Sequence, residues 1–330
     1  MKLSDLKYDY PEELIALEPS RPTRVMWVDE LGVPSEITIK DLIAKIPAGD
    51  VVVVNDTKVL KRRVFVDNIE ILFLDTLSNN EWKVLFPSKK FSVGDSVILP
   101  NGTTMTLLQK GLPQIVSVST ELTEADFEKM AELPLPPYIQ KARGERHTVQ
   151  NDESWYQTAW AKKAGSFAAP TASLHFSEND LLTLQKNGVH VLKITLHVGL
   201  GTFLPVKTED LDDHQMHGEF YDVENSVWKK ICEAKNNNRG IWALGTTVTR
   251  TLETVARTNE IAGESKILLQ AGSVFKIVNR LMTNFHQPES TLLALVAGFS
   301  DLETVKKNYA WAISKKFKLF SYGDFSVWMK

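Results

Sequence analysis

From Val64 to about Leu133 the chain is written in short, largely alternating runs, and this stretch limits its fold more than any other. Glu70–Leu74, Trp82–Phe86, Ser96–Leu99, Met105–Gln109 and Gln114–Ser119 are separated by Gly, Asn, Asp and Pro. Several short strands at this spacing predict a small all-β barrel. The flanks read differently. Lys40–Ile46 is an amphipathic helix closed by Gly49-Asp50, ahead of a buried strand, Val51–Val54. Leu133-Pro-Leu-Pro-Pro-Tyr-Ile139 is a stiff, extended connector, and Lys141–Asp152 is polar and expected to be mobile. After Tyr156 strands and helices alternate. Ser177-Glu-Asn-Asp180 is a capping box opening a helix that ends near Gly188. Val189–Val198 is a strand, Glu224–Asn238 a helix, Ile241–Leu244 a strand and Val248–Arg257 a helix, with two more helices at 289–298 and 301–316. That alternation predicts an α/β sheet covered by helices.

A chain of 330 residues is longer than one ordinary core requires, so two domains are expected. No apolar run approaches a membrane span, and the start, Met-Lys-Leu-Ser-Asp-Leu, lacks the apolar core of a signal peptide. The one cysteine, Cys232, sits in a helical pattern as a small core residue. These features place the chain in a cytoplasm or an organelle stroma. The net charge of −3 argues against retention on nucleic acid by overall charge. A local basic patch remains open to it. Lys58, Lys61, Arg62 and Arg63 follow the strand Val51–Val54 directly and form that candidate, whereas Lys89-Lys90 reads as solvated surface.

Five of the seven histidines fall between His175 and His217. Imidazole exchanges protons near neutral pH, so an enzyme with proton-transfer work is expected. By alternation His197 ends its strand on the polar face with Lys193 and Thr195, and His190 shares the apolar face as a packing residue. His147 belongs to the mobile polar loop. His197-Val-Gly199-Leu-Gly201-Thr202-Phe has the look of a nucleotide glycine loop, but its third glycine is missing and Leu204-Pro205 offers no helix to receive a phosphate. The glycines instead let the backbone turn or approach a ligand beside His197. Asp213-His214-Gln-Met-His217-Gly-Glu219 has metal-ligand residues without HExxH or paired cysteines, so no metal is expected. Gly245-Thr246-Thr247 lies between strand and helix and fits either an anion site or a plain threonine N-cap; Arg250, one turn in, favours the anion. Pro170-Thr171-Ala-Ser173-Leu-His175 fits either a ligand-contact loop or a structural turn.

Read together, these stretches resemble the S-adenosylmethionine:tRNA ribosyltransferase-isomerases of queuosine biosynthesis. The likeness rests on Asn55-Asp-Thr-Lys-Val59, Leu133–Ile139, Tyr156-Gln-Thr158, Ala168-Ala-Pro-Thr-Ala172 with Leu174-His-Phe176, Thr195-Leu-His-Val-Gly199, Gly201-Thr-Phe203 and Met216-His217. It continues through Gly245-Thr-Thr247 with Arg250-Thr-Leu-Glu253, Thr283-Asn-Phe-His286, Ser290-Thr-Leu292 and Ser321-Tyr-Gly-Asp324. Many matches in one order are more specific than any single motif.

The resemblance implies an α/β fold, a mixed sheet covered by helices with an inserted small β-barrel domain: residues 1–63 and 134–330 form a discontinuous catalytic domain and 64–133 the insert. It implies transfer of the ribosyl group of S-adenosylmethionine, as a consumed co-substrate with no cofactor, to 7-aminomethyl-7-deazaguanine in a tRNA anticodon. Epoxyqueuosine forms, and adenine and methionine leave. The partners implied are tRNA and S-adenosylmethionine, with no membrane and no obligate protein partner, for a monomer. His175, His197, His217 and His286 are the expected proton-transfer residues, with Glu219 and Asp213 as orienting or acid partners. Thr171, Ser173, Gly199, Gly201, Thr202, Thr246, Thr247, Arg250 and Asn284 are expected around the substrate. The chain departs from the family pattern at Ser173, Gly218, Val248, Asn279 and Gln287, and a glycine pair after Phe65 is missing. A diverged paralogue that binds tRNA without this reaction, and an S-adenosylmethionine-dependent RNA methyltransferase, are the alternatives.

Overall fold

Four consecutive valines, Val51–Val54, are all buried, because the strand they form is covered on both faces. In the computed structural model, which describes residues 1–144, 146–149, 151–204 and 206–330 without the side chains of Thr202 and Phe203, this strand is the centre of a nine-stranded mixed sheet. The order is Ala262–Ser265, Glu219–Asp222, His190–Leu196, Val51–Asn55, Ile241–Leu244, Arg280–Asn284, Phe325–Met329, Arg24–Val28 and Pro34–Thr38. His190–Leu196, Val51–Asn55, Ile241–Leu244 and Arg280–Asn284 run parallel. Alternation sorts the apolar side chains to two cores. Val51 and Val53 join Leu192, Ile194 and Leu196 beneath Ile231, Val248, Leu252 and Val255 of the helices Asn225–Asn236 and Thr246–Thr258. Val52 and Val54 join Trp242, Leu244 and Met282 beneath Leu42 and Ile43 of Ile39–Lys45 and Leu181 and Leu184 of Glu178–Lys186. Among the described residues no helix is long and apolar enough to cross a membrane.

Residues 63–132 hold a second, antiparallel sheet of seven strands with its own core around Phe73, Trp82, Met105, Val116 and Phe127. It curls at register shifts near Phe73–Ser78 and Ile115–Val116. Its strands pair in one linear order, from Ala131–Glu132 at one edge to Ser96–Ile98 at the other. The expectation of all-β structure here is corrected by the helix Glu124–Met130. Thr123 and Asp126 close a capping box at its start, and Phe127 seals the core with its ring centroid 5.2 Å from Phe73 and 5.3 Å from Trp82.

Three further expectations change. The extended connector ends in a helix, Pro137–Arg143, which Pro137 initiates at its first turn. In the polar segment that follows, Asp152 is wholly buried and accepts from Arg143 (2.7 and 3.0 Å) and from the Tyr322 hydroxyl (3.0 Å). His190 is exposed, since it is the first residue of its strand and extends past the covering helix.

Asn55 ends the central strand and is wholly buried. Its Nδ2 donates to the Leu196 carbonyl at 2.9 Å and to Thr247 Oγ1 at 3.4 Å. Its Oδ1 accepts from the amides of Leu196 and Thr57, both at 3.1 Å. One amide thus ties the ends of two neighbouring strands to the start of a helix. Asn55→Ala strands three buried backbone groups, each worth about 1–3 kcal/mol, so a loss of about 3 kcal/mol or more is expected from urea midpoints. A loss below about 1 kcal/mol, within the range of an ordinary surface change, contradicts this reading.

Candidate active site

The parallel strands end side by side at Asn55, Leu196, Leu244 and Asn284, the edge at which open α/β sheets bind ligands. His197 follows one of these ends and is half-buried. Thr57 Oγ1 lies 2.7 Å from His197 Nδ1 and 3.5 Å from the Lys163 carbonyl; when the hydroxyl donates to that carbonyl, it accepts the Nδ1 proton. That tautomer leaves Nε2 with its lone pair, and among the described residues it has no hydrogen-bond partner. Gly165 gives the ring room: a Cβ there would stand 2.8 Å from three of its atoms. Burial lowers the pKa of His197, Asp56 opposes the shift and Lys163 adds to it. The ring is therefore neutral near pH 7 and able to accept a proton.

His175 and His286 are placed otherwise. His175 Nε2 accepts from Asn284 Nδ2 at 2.8 Å. Its Nδ1 donates to Thr23 Oγ1 at 3.3 Å, since that hydroxyl is spent on the Ser20 carbonyl at 3.0 Å. Asn284 Oδ1 in turn accepts from Thr171 Oγ1 at 3.0 Å. His286 Nε2 meets Thr283 Oγ1 at 2.9 Å, and its backbone amide donates to the Tyr309 hydroxyl at 3.1 Å. Burial pulls both imidazoles down to about 3, with Arg21 adding to the effect at His175. His175 has both ring nitrogens engaged and acts as a neutral strut.

The glycine loop meets the next motif. A Cβ on Gly201 would lie 3.1 Å from His217, and one on Gly199 would lie 3.4 Å from the Gly218 carbonyl. His217 and Asp213 are exposed. Glu219, expected as an orienting or acid partner of the histidines, is paired with Arg250 instead. Successive residues of a strand alternate, so Glu219 turns to the face covered by Thr246–Thr258, where it forms a buried ion pair with Arg250. Phe220 turns to the other face beside His197. Arg250 is thereby committed to Glu219, although burial lowers its pKa to about 10 and leaves it charged at neutral pH. The helix that carries it begins at Gly245 (φ 101°) with no side-chain cap, leaving Thr246 and Thr247 at an open N-terminus. The Thr202 side chain and Pro205 lie outside the described residues.

Of the departures, Val248 fills the core and Asn279 Oδ1 accepts the Ile241 amide at 2.8 Å, while the Ser173 hydroxyl is buried without a partner. The basic patch is corrected. Arg62 is buried, paired with Glu124 and laid over Phe127 (4.2 Å); Arg63 is buried and paired with Glu132 (3.1 Å). Lys61 pairs with Glu153 and Glu128 at 2.7 and 3.3 Å, and only Lys58 is exposed and unpaired among these four. Arg62 and Arg63 pair with carboxylates of the second sheet's own span, and Lys61 also reaches Glu153 outside it. Asn55, Asp56 and Thr57 are site residues that the sequence shows only as part of a motif. Their signal was a polar triplet directly after a valine strand.

A cavity of about 1640 Å³ is lined by Tyr10, Arg21, Tyr138, Arg143, Trp155 and Lys318 among others, and His197 is not in its lining. Cavity size and chemistry disagree here. The free basic nitrogen and the open helix end decide in favour of the strand edge. Among the described residues no three His, Cys, Asp or Glu side chains form a metal-ligand group.

Residues 3–327 match the family described as queuosine biosynthesis protein. The chain is 38% identical to the S-adenosylmethionine:tRNA ribosyltransferase-isomerase of a Sulfurihydrogenibium species, covering 98% of both chains. It is 36% identical to the proteins of that name from Staphylococcus aureus and Halothermothrix orenii, again over 98% of each chain. The crystal structure of the Thermotoga maritima S-adenosylmethionine tRNA ribosyltransferase is 28% identical and superposes with a TM-score of 0.56 over 98% of this chain and 99% of that one.

The buried imidazoles set a pH dependence. Their folded pKa values near 3 lie below the ordinary 6.5, so between these limits the unfolded chain binds protons that the folded chain does not. Their contribution is complete above pH 6.5 and is lost as pH falls toward 3, by up to about 1.4 kcal/mol per pH unit for each group. His286→Gln should flatten the fall in unfolding free energy between pH 6 and 5. An unchanged slope contradicts the assignment.

Proposed function

The chain belongs to the queuosine biosynthesis protein family, and from that premise we propose that it catalyses the reaction for which its relatives are named. It transfers and isomerises the ribosyl group of S-adenosylmethionine onto 7-aminomethyl-7-deazaguanine in a tRNA anticodon. The products are epoxyqueuosine in the tRNA, free adenine and methionine. S-adenosylmethionine is consumed, and no cofactor takes part. The protein acts as a cytoplasmic monomer, with residues 64–133 as a barrel-like unit inserted into a catalytic domain made of 1–63 and 134–330.

The observation that carries the assignment of roles is the free Nε2 of His197. The sulfonium acidifies the adjacent ribose carbon, and a neutral imidazole held in one tautomer by Thr57 is suited to remove that proton. The carboxylate of the methionine moiety fits the open N-terminus at Thr246 and Thr247, where backbone amides and the helix dipole favour an anion. Arg250 serves there through its pair with Glu219, not as a free cation. Gly199 and Gly201 let the loop close against His217 and Gly218. Methyl transfer through a nucleotide loop has less support, since the glycine loop makes only a single 3₁₀ turn, Leu200–Phe203.

Two measurements test this. Label in the ribose of S-adenosylmethionine should pass to tRNA and label in its methyl group should not; methyl label in the tRNA overturns the reading. His197→Ala should lower kcat about 10²–10⁴-fold. Because burial lowers the His197 pKa, the acid limb of the parent's kcat/KM profile should have its midpoint below 6.5 and should vanish in the variant. A variant with parental kcat removes His197 from the base role.

A further inference from the structure

Phe220 is half exposed, at 50%, and no proton-transfer role uses it. It stands directly across from His197. The His197 amide donates to the Phe220 carbonyl at 2.9 Å, and the two rings are 18° from parallel with centroids 6.0 Å apart. Its strand neighbours Glu219 and Tyr221 are buried, so Phe220 is the residue that alternation sends to the uncovered face. The ribbon of Thr57–Val59 and Lys163–Ser166 supplies both the Thr57 hydroxyl and the Gly165 backbone that seat His197. The same ribbon and its lead-in carry Lys58 and Lys162, both exposed. Among the described residues neither has a carboxylate partner, whereas Lys163 pairs with Asp222 at 2.9 Å and Lys266 with Glu264 at 3.5 Å. An aromatic face therefore stands beside an imidazole with a free nitrogen, and two exposed cations without carboxylate partners lie on the ribbon that seats it.

We infer that this face is the docking surface for the single-stranded anticodon loop, with Phe220 stacking on a base of that loop and Lys58 and Lys162 meeting its phosphates. Stacking on an exposed aromatic ring and neutralisation of phosphates are how single-stranded nucleic acid is held. The charges favour the tRNA for this surface, because two exposed lysines without carboxylate partners suit a polyanion. The inference rests on the reaction proposed above, and it names the surface that presents the acceptor to His197.

The test compares Phe220→Ala, Phe220→Leu and Phe220→Trp in the full chain, with tRNA binding and both KM values as readouts. Alanine and leucine should weaken tRNA binding about 5–100-fold, tryptophan should retain it, and KM for S-adenosylmethionine should stay at the parental value. Leucine separates stacking from mere apolar cover, and thermal midpoints check that each variant folds. Lys58→Gln with Lys162→Gln should reduce the slope of log affinity against log salt by about 1–2. Parental tRNA affinity in Phe220→Ala, a raised KM for S-adenosylmethionine alone, or an unchanged salt slope in the lysine pair overturns the surface. If the parent passes no ribose label to tRNA, the reaction is wrong. If it does while the Phe220 variants bind tRNA as the parent does, only the docking surface is wrong.

Discussion

A strand buried on both faces has water at neither end of its backbone, and this structure depends on side chains that complete the hydrogen bonding of its central strand. At the carboxyl end Asn55 serves both backbone groups of Leu196, the amide of Thr57 and the hydroxyl of Thr247. At the other end Asp50 accepts from the Gly240 amide at 2.9 Å and from Trp242 Nε1 at 2.8 Å. The side chain at 240 must be absent for this, since a Cβ there would lie 2.3 Å from the Asp50 carboxylate. The helix Thr246–Thr258 is seated in the same manner at its far end. Glu253, wholly buried, accepts from the amides of Lys276, Ile277 and Val278 at 2.8–3.0 Å. The open N-terminus of that helix is thus held at the sheet edge by groups that do not themselves touch a ligand.

The same logic separates the imidazoles. An imidazole whose two nitrogens are satisfied inside the protein has no site left for a substrate proton. His175 meets that description, with Asn284 on one nitrogen and Thr23 on the other. His197 has one nitrogen fixed and one free, which a general base requires. His217 is solvent-exposed, with Gly201 packed against it. His175 and His197 thus differ in task, and the difference lies in a few hydroxyl and amide partners.

Several stretches that carried the family likeness are structural in the fold. Gln157 binds the backbone of Val59 through both its side-chain atoms, at 3.0 and 2.9 Å, like one more strand residue. Leu133, Leu135, Ile139, Tyr156 and Tyr322 form one small core. Asp324 accepts from the amides of Lys318 and Arg24 at 2.8 and 3.0 Å. A motif spelled over five residues need not touch a substrate; it can hold the frame that does.

Local rules read in chain order gave the strands of the main sheet, the Ser177 capping box and the position of His197 at a strand end, because alternation and capping depend on near neighbours alone. The helix Glu124–Met130 has the same local signal in Thr123 and Asp126, set within a stretch whose texture is otherwise that of strands. Other features were beyond local reading. Arg62 and Arg63 look like a basic patch until Glu124 and Glu132, about 60 to 70 positions away, neutralise them. Glu219 looks like an orienting or acid partner for the histidines until the pleat turns it toward Arg250. Which His197 nitrogen is free was decided by Thr57, 140 residues earlier in the chain. Charge, tautomer and burial are set by neighbours in space, and only the tertiary fold chooses those neighbours.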